Sequence, residues 1–318
     1  MKYSRIIGTG SYLPSKLLTN NDLEKIVDTT DEWIVERTGI KTRHIMAGNE
    51  TTISMAEAAA HKAIIASGLD KNKIQLIVVA TSTPQTLFPN TACCLQRLLG
   101  IAGCCPAFDV SAACSGFIYA INIADQYIRS GQVENALVVG ADSLTKFVDW
   151  SDRTTCILFS DGAGAVVLTA DNEPGIYSSH LHADGDCSDL LYLTGNLYDN
   201  ATQRHIKMEG NKVFKIAVTR LNEVVVEALK FNNFTTSQID WLIPHQANLR
   251  IITATAKKLD LPMEKVILTI EDQGNTSAAS IPLSLDIGVR DGRIKKNDLL
   301  LLEAFGAGLC WGASLIRY

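Results

Sequence analysis

The segment 115–130 (SGFIYAINIADQYIRS) reads as a helix with almost no polar side. Gly116, Phe117, Ile118, Tyr119, Ala120, Ile121, Ile123 and Ala124 cover nearly its whole circumference. A helix that is apolar all round must be buried. The strand-like runs 75–80, 107–111, 136–140, 163–169, 241–244, 299–304 and 313–317 alternate with helical stretches 54–67, 115–130, 211–231, 247–259 and 277–289. That alternation predicts an α/β fold. Several strands (LIVVA, ALVVG, LLLLEA) are apolar on both faces, as in a sheet covered on both sides. A buried helix between two covered sheets predicts a five-layer αβαβα sandwich.

The chain repeats itself. A strand at 136–143 is followed, after a connection, by SDGAGAVVLT at 160–169; a strand at 299–305 is followed by GAGLCWGASLIRY at 306–318. Each pair follows an apolar helix, which in turn follows a strand ending in candidate chemistry. This predicts an internal duplication, with halves 1–172 and 173–318 joined near 172–175. No Pro/Ser linker separates them, so the halves share a tight interface.

Composition narrows the function classes. With 318 residues, 47% hydrophobic and 20% charged, the chain is not disordered. A net charge of -5 argues against broad nucleic-acid binding. The N-terminus lacks a secretory apolar region, and no apolar run is long enough to span a bilayer. The expectation is a soluble, cytoplasmic protein with no membrane partner. Of the cysteines at 93, 94, 104, 105, 114, 156, 187 and 310, none forms a C-x-x-C, so no metal site is expected. Seven read as small core residues.

Cys114 is different. It lies in DVSAACSGF at 109–117, between a strand and the buried helix. The small residues around it permit a sharp turn, as in a nucleophile elbow. A helix N-terminus lowers a thiol pKa and offers free N–H groups to an oxyanion. His245, in WLIPHQAN at 241–248, stands at a strand C-terminus, where α/β ligands gather; alone, it reads equally well as a hydrogen-bonded core histidine. Asn275, in GNTSAAS at 274–280, reads alone as a helix N-cap. A Cys, a His and an Asn at three strand–helix turns together suggest one site.

The glycine-rich segments do not bind a dinucleotide. GTGSYL at 8–13 lacks the last glycine of G-x-G-x-x-G, and DGAGA at 161–165 leads into a strand, not a helix. Trp33 and Arg37 share a helix face and could stack an adenine and hold phosphate, or be a surface arginine over a core tryptophan. Arg250 and Lys257 share a face, with Lys258 beside Lys257 and Lys207, Lys212 and Lys215 upstream. They form either a solvated face or a docking site for an acidic partner.

Taken in order, IGTGSYLP at 7–14, DEWIVERTGI at 31–40, AACSG at 112–116, PHQANLR at 244–250, GNTSA at 274–278 and EAFG at 303–306 resemble the type III β-ketoacyl-acyl carrier protein synthases, of thiolase-like fold, over essentially the whole chain. The resemblance implies a catalytic triad of Cys114, His245 and Asn275, and an oxyanion loop at Gly306, Ala307 and Gly308. Trp33, Arg37 and Arg153 would hold coenzyme A. Asn211, Phe214, Ala247 and Asn248 would line the pantetheine tunnel. Gln246, Ala247, Asn248, Leu249 and Arg250 would contact the acyl carrier protein. Phe88 would reach across a homodimer into the partner's acyl pocket. The reaction would be the decarboxylative condensation of an acyl-CoA, acetyl-CoA by expectation, with malonyl-acyl carrier protein that initiates fatty acid synthesis, with no cofactor. Two departures stand out: Ala307 where the family often has glycine, and Ser160 in place of the first glycine of F-G-D-G-A-G. Alternatives are a condensing enzyme of secondary metabolism, a thioesterase-like acyl-CoA hydrolase and a non-catalytic carrier-binding subunit.

Overall fold

The computed structural model describes residues 2–101, 103, 105–195 and 203–318. Two sheets carry the fold. The first has five strands in the spatial order Tyr3–Tyr12, Asp161–Asp171, Asn135–Ser143, Ile77–Ala80 and Ala107–Val110. The second has four, in the order Ile176–Ala183, Cys310–Arg317, Leu299–Gly306 and Trp241–Pro244. Read this way the sheets have one pattern: two antiparallel pairings, then parallel ones. Beyond Trp241–Pro244 the second sheet has an isolated parallel bridge between Leu242 and Val266.

Between the sheets lie the helices Gly116–Arg129 and Ser280–Arg290. Phe117, Ile118, Ile121, Ile281 and Leu285 form one buried cluster with Val78 and Val138 of the first sheet and Leu300 and Leu302 of the second. The helices Thr52–Ser67 and Thr91–Leu98 cover the outside of the first sheet, and Gly210–Phe231 and Leu249–Lys258 cover the second. The five-layer sandwich is therefore as expected.

The strand Tyr3–Tyr12 is not among the strands expected from sequence, because Ser4, Gly8, Gly10 and Ser11 interrupt its β-formers. Its glycines answer to packing: a Cβ on Gly10 would sit 2.3 Å from the Ala59 carbonyl oxygen of the covering helix. Ile176–Ala183 was also missed; its serines and histidines mask a half-exposed edge strand. The core expectation for cysteines fails for most of them. Of the seven, only Cys156 is buried among the described residues, while Cys93 is exposed and Cys94, Cys105, Cys187 and Cys310 are half-buried. Cys104 lies outside the described residues.

Candidate active site

Two 3-10 turns of the same construction meet at the centre, each leading into one of the helices between the sheets. Ala113–Ser115 is a 3-10 turn with Ala113 at φ 46°, and it leads into Gly116–Arg129. Ser277–Ala279 is its counterpart, with Ser277 at φ 54°, and leads into Ser280–Arg290. Left-handed backbone at a residue with a side chain is costly, and is kept where surrounding structure enforces it. The first turn presents Cys114; the second has Ala278 at the matching position.

Cys114, His245 and Asn275 all line one cavity of about 440 Å³. His245 follows the strand Trp241–Pro244, and its N–H donates to the Glu303 carbonyl at 2.8 Å. Its Nδ1 lies 2.6 Å from the Ser280 hydroxyl. Asn275 is held by backbone: its N–H donates to Leu158 (3.0 Å), and its carbonyl accepts the Ser160 N–H (2.8 Å). Its side-chain Oδ1 accepts the Ser277 N–H at 2.9 Å. That bond fixes the amide and leaves Nδ2 as a donor toward the cavity.

Burial dominates the electrostatics. It pushes the Cys114 thiol up to about 12, against a hydrogen bond with Ser277 that favours the thiolate. It pushes His245 down to about 3. The resting pair is a neutral thiol and a neutral imidazole. The thiol lowered by its helix N-terminus, expected from sequence, is not the resting state, because desolvation outweighs the helix end.

Gly306 closes the site from the neighbouring strand; a Cβ there would lie 2.7 Å from the Cys114 nitrogen. Glycine is thus required for the loop to approach the Cys114 N–H. In the rest of the loop, the left-handed φ (132°) falls on Gly308 and not on Ala307, so the alanine is accommodated. The Ser160 departure has a use too. Its hydroxyl accepts the His44 N–H (2.8 Å) and donates to the His44 carbonyl (3.2 Å), tying the strand Thr42–Ile45 to the segment that holds Asn275.

The cavity mouth is basic. The exposed Arg37 and Arg153 carry their guanidinium carbons 4.9 and 5.1 Å from the Trp33 ring centre. Arg250 lies 5.5 Å over the Phe214 ring. Asn211, Phe214, Ala247 and Asn248 line the same opening. Asn248 caps Leu249–Lys258 and donates to the Arg37 carbonyl at 3.0 Å, joining two sides of the mouth. Lys207 and Lys212 are engaged by Asp152 and Glu209 respectively. Phe88 is 85% exposed and lies away from this chain's cavity.

Sequence and structure comparisons agree with this architecture. Residues 108–185 match the family model 3-oxoacyl-[acyl-carrier-protein] synthase III, and 229–318 match its C-terminal model. The β-ketoacyl-[acyl-carrier-protein] synthase III of Thioalkalivibrio sulfidiphilus is 56% identical, with all of both chains covered. That of Xanthomonas campestris pv. campestris is 57% identical over 99% of this chain and 98% of its own. The chain belongs to the β-ketoacyl-[acyl-carrier-protein] synthase III family. The crystal structure of the Aquifex aeolicus 3-oxoacyl-[acyl-carrier-protein] synthase III superposes with a TM-score of 0.94 at 50% identity, covering 99% of this chain and all of that one. This synthase III family member is accordingly a condensing enzyme of the acyltransferase type.

One expected carrier contact needs correction. Gln246 is buried. Its amide donates to the Pro244 and Ile267 carbonyls and accepts the N–H groups of Thr269 and Ile270. It braces the turn from inside and is not available to a partner. Sequence reasoning also missed four site residues. Ser280 positions His245, and Ser277 bonds Cys114. Asp142 fills the matching turn of the other half, accepting from Ala278 N–H (3.2 Å), Ser82 N–H (2.8 Å) and the hydroxyls of Thr81 and Thr83. A resident carboxylate thus takes the free N–H of the Ser277–Ala279 turn. Glu303 is the fourth; its presence within an apolar strand was the available signal. Among the described residues, no group of three or more His, Cys, Asp or Glu is arranged to hold a metal, and no helix is long and apolar enough to cross a membrane.

Proposed function

We propose that this chain condenses an acyl-CoA, acetyl-CoA by preference, with malonyl-acyl carrier protein through an acyl-enzyme on Cys114. The observation that carries the reading is the convergence of Cys114, His245 and Asn275 on one cavity whose mouth is flanked by Arg37 and Arg153. The Cys114 sulfur attacks the acyl-CoA thioester, and its proton leaves with the coenzyme A sulfur. The oxyanion is held by the Cys114 N–H and a backbone N–H of the loop Gly306, Ala307, Gly308. Trp33, Arg37 and Arg153 hold the nucleotide end; Asn211, Phe214, Ala247 and Asn248 guide the pantetheine arm.

Malonyl-carrier protein then enters by the same tunnel. Loss of carbon dioxide leaves an enolate on the thioester oxygen. The Ser280 hydroxyl, donating to His245 Nδ1, keeps the imidazole proton on Nε2. That N–H and the Asn275 amide donate to the enolate oxygen, where charge develops. The enolate carbon attacks the acyl-enzyme and yields the β-ketoacyl product. No metal or redox cofactor takes part in this scheme.

The exposed Arg250, with Lys257 two turns further along the helix, supplies the carrier-protein docking face, aided by Ala247, Asn248 and Leu249. Chain halves 1–172 and 173–318 divide the labour: the first brings Cys114, the second His245 and Asn275. A homodimer accommodates both the exposed Phe88 and the open edge of Ala107–Val110. The enzyme works in the cytoplasm. Intact-protein mass spectrometry after mixing with acetyl-CoA tests the reading. One acetyl group should map to Cys114 and be lost in Cys114→Ala; acetylation persisting in that variant would remove the assignment.

A further inference from the structure

Glu303 stands in the strand Leu299–Gly306, on the side shared with Leu299, Leu301 and Phe305. It is 1% exposed, lines the same cavity as Cys114 and His245, and neither carboxyl oxygen meets a hydrogen-bond partner among the described residues. Other buried acids are built differently. Asp161 accepts from the Thr145 N–H and hydroxyl and from Met46 N–H; Asp142 accepts the four bonds given above. Those carboxylates are held by donors, and Glu303 is not. An unpartnered buried acid costs stability, so its place on the cavity wall calls for a use.

The groups around it leave it neutral. The helix Gly210–Phe231 turns Val213, Ala217 and Leu221 toward the cavity, and Leu249–Lys258 turns Ile252. Pro244 is its strand neighbour on one side and Ala313 on the other. The titratable groups facing the same space are Cys114 and His245, with Arg37, Arg153 and Arg250 at the exposed mouth. Burial pushes the Glu303 carboxyl up to about 8.

The proton inventory of the proposed reaction, on which this inference rests, needs such an acid. Acylation is balanced, since the thiol proton leaves on coenzyme A. Condensation is not. The bond to the malonyl carboxylate breaks and carbon dioxide departs; the electron pair becomes the enolate and then the new carbon–carbon bond. The Cys114–acyl bond breaks, and its pair stays on sulfur. Each turnover therefore ends with a thiolate in a site that disfavours it, and one proton must be supplied. His245, already a neutral imidazole, cannot release one without becoming an imidazolate. We propose that Glu303 is the carboxylic acid that supplies this proton, passing it across the cavity to the Cys114 sulfur and regaining one from solvent through the tunnel.

The test separates the half-reactions. Acetylated enzyme, freed of coenzyme A, is mixed with malonyl-carrier protein and quenched over a series from about pH 6 to about 10. Wild-type condensation should fall about tenfold per unit above the Glu303 pKa. Glu303→Gln should acylate within about twofold of wild type, condense at least about tenfold more slowly at neutral pH, and lose that alkaline limb. Glu303→Asp should restore part of both rate and limb. A wild-type rate and limb in Glu303→Gln would overturn the proposal, as would equal losses in the two half-reactions. Should Glu303→Gln not fold, the wild-type infrared spectrum decides: a protonated-carboxyl band must titrate near pH 8, and its absence overturns the assignment. Wild type that never acetylates sinks the Cys114 reading and this one together. Normal acetylation with an unaltered Glu303→Gln sinks this one alone.

Discussion

Replacing Asn275 by alanine should stall condensation while leaving acylation nearly intact. The position is held by its backbone, through the Leu158 carbonyl and the Ser160 N–H, and alanine keeps both bonds. What is lost inside the protein is the bond from Ser277 N–H to Oδ1, worth about 1 kcal/mol. What is lost to the reaction is one donor aimed at the enolate oxygen. Such a donor contributes about 2.7–4 kcal/mol, or roughly a hundred- to thousand-fold in rate. The stability loss is too small to unfold a domain of ordinary stability, about 5–15 kcal/mol, so the rate effect can be read cleanly. The assay is single-turnover acetylation by acetyl-CoA, followed by mixing the acetyl-enzyme with malonyl-carrier protein. The reasoning fails if acetylation and condensation drop by the same factor. That result would mean the Ser277 bond matters more through Cys114, which Ser277 also contacts, than the Nδ2 donor matters to the enolate.

Three other outcomes follow from the same geometry. Gly306→Ala puts a carbon 2.7 Å from the Cys114 nitrogen and should slow both half-reactions about a hundredfold by misplacing the oxyanion donor; single-turnover rates check it, and loss of condensation alone would contradict it. Arg250→Glu should raise KM for malonyl-carrier protein and flatten its salt dependence, since rim charges steer encounter and are screened over about 10 Å at 0.1 M salt, while acetylation by acetyl-CoA stays near normal. Glu303 also predicts a pH dependence of stability: its folded-state pKa of about 8 lies above the usual 4.5, so the native form keeps a proton that the unfolded form loses. Its contribution should therefore be unchanged below about pH 4.5 and fall by about 1.36 kcal/mol per unit up to about pH 8. Denaturant unfolding of wild type against Glu303→Gln across that window should show the difference widening in favour of glutamine, and a constant difference would refute it.

Much of the architecture was legible along the chain. The largely apolar 115–130 segment announced a buried layer, and Gly116–Arg129 lies between the sheets. The doubly apolar strands announced covered sheets, and helices cover both faces of each. Helix starts were less legible. The turns Ala113–Ser115 and Ser277–Ala279 precede their helices, because the backbone at each must first pass through a left-handed residue. The glycine-dense first strand was invisible because its sequence answers to the helix pressed against it, not to strand propensity.

The sequence by itself determined that Cys114 stands at a strand-to-helix turn and His245 at a strand end, since a turn is a local event written in neighbouring residues; Asn275, expected at a third such turn, instead follows the short helix Ile270–Gln273 and makes an isolated bridge to Phe159. It also determined that strands and helices alternate, because each element's hydrophobic period is written within its own residues. Only the tertiary structure decided how those residues behave. Cys114 rests as a thiol and His245 as a neutral imidazole because both are buried. Gln246, adjacent to His245 and polar, turned inward to four backbone partners instead of outward. Asp142 and Glu303 are both buried acids, yet one is ringed by donors and the other by apolar walls. Desolvation and hydrogen-bond supply depend on segments more than a hundred residues away, as with Asp142 and Ala278, and no local pattern encodes what those segments bring.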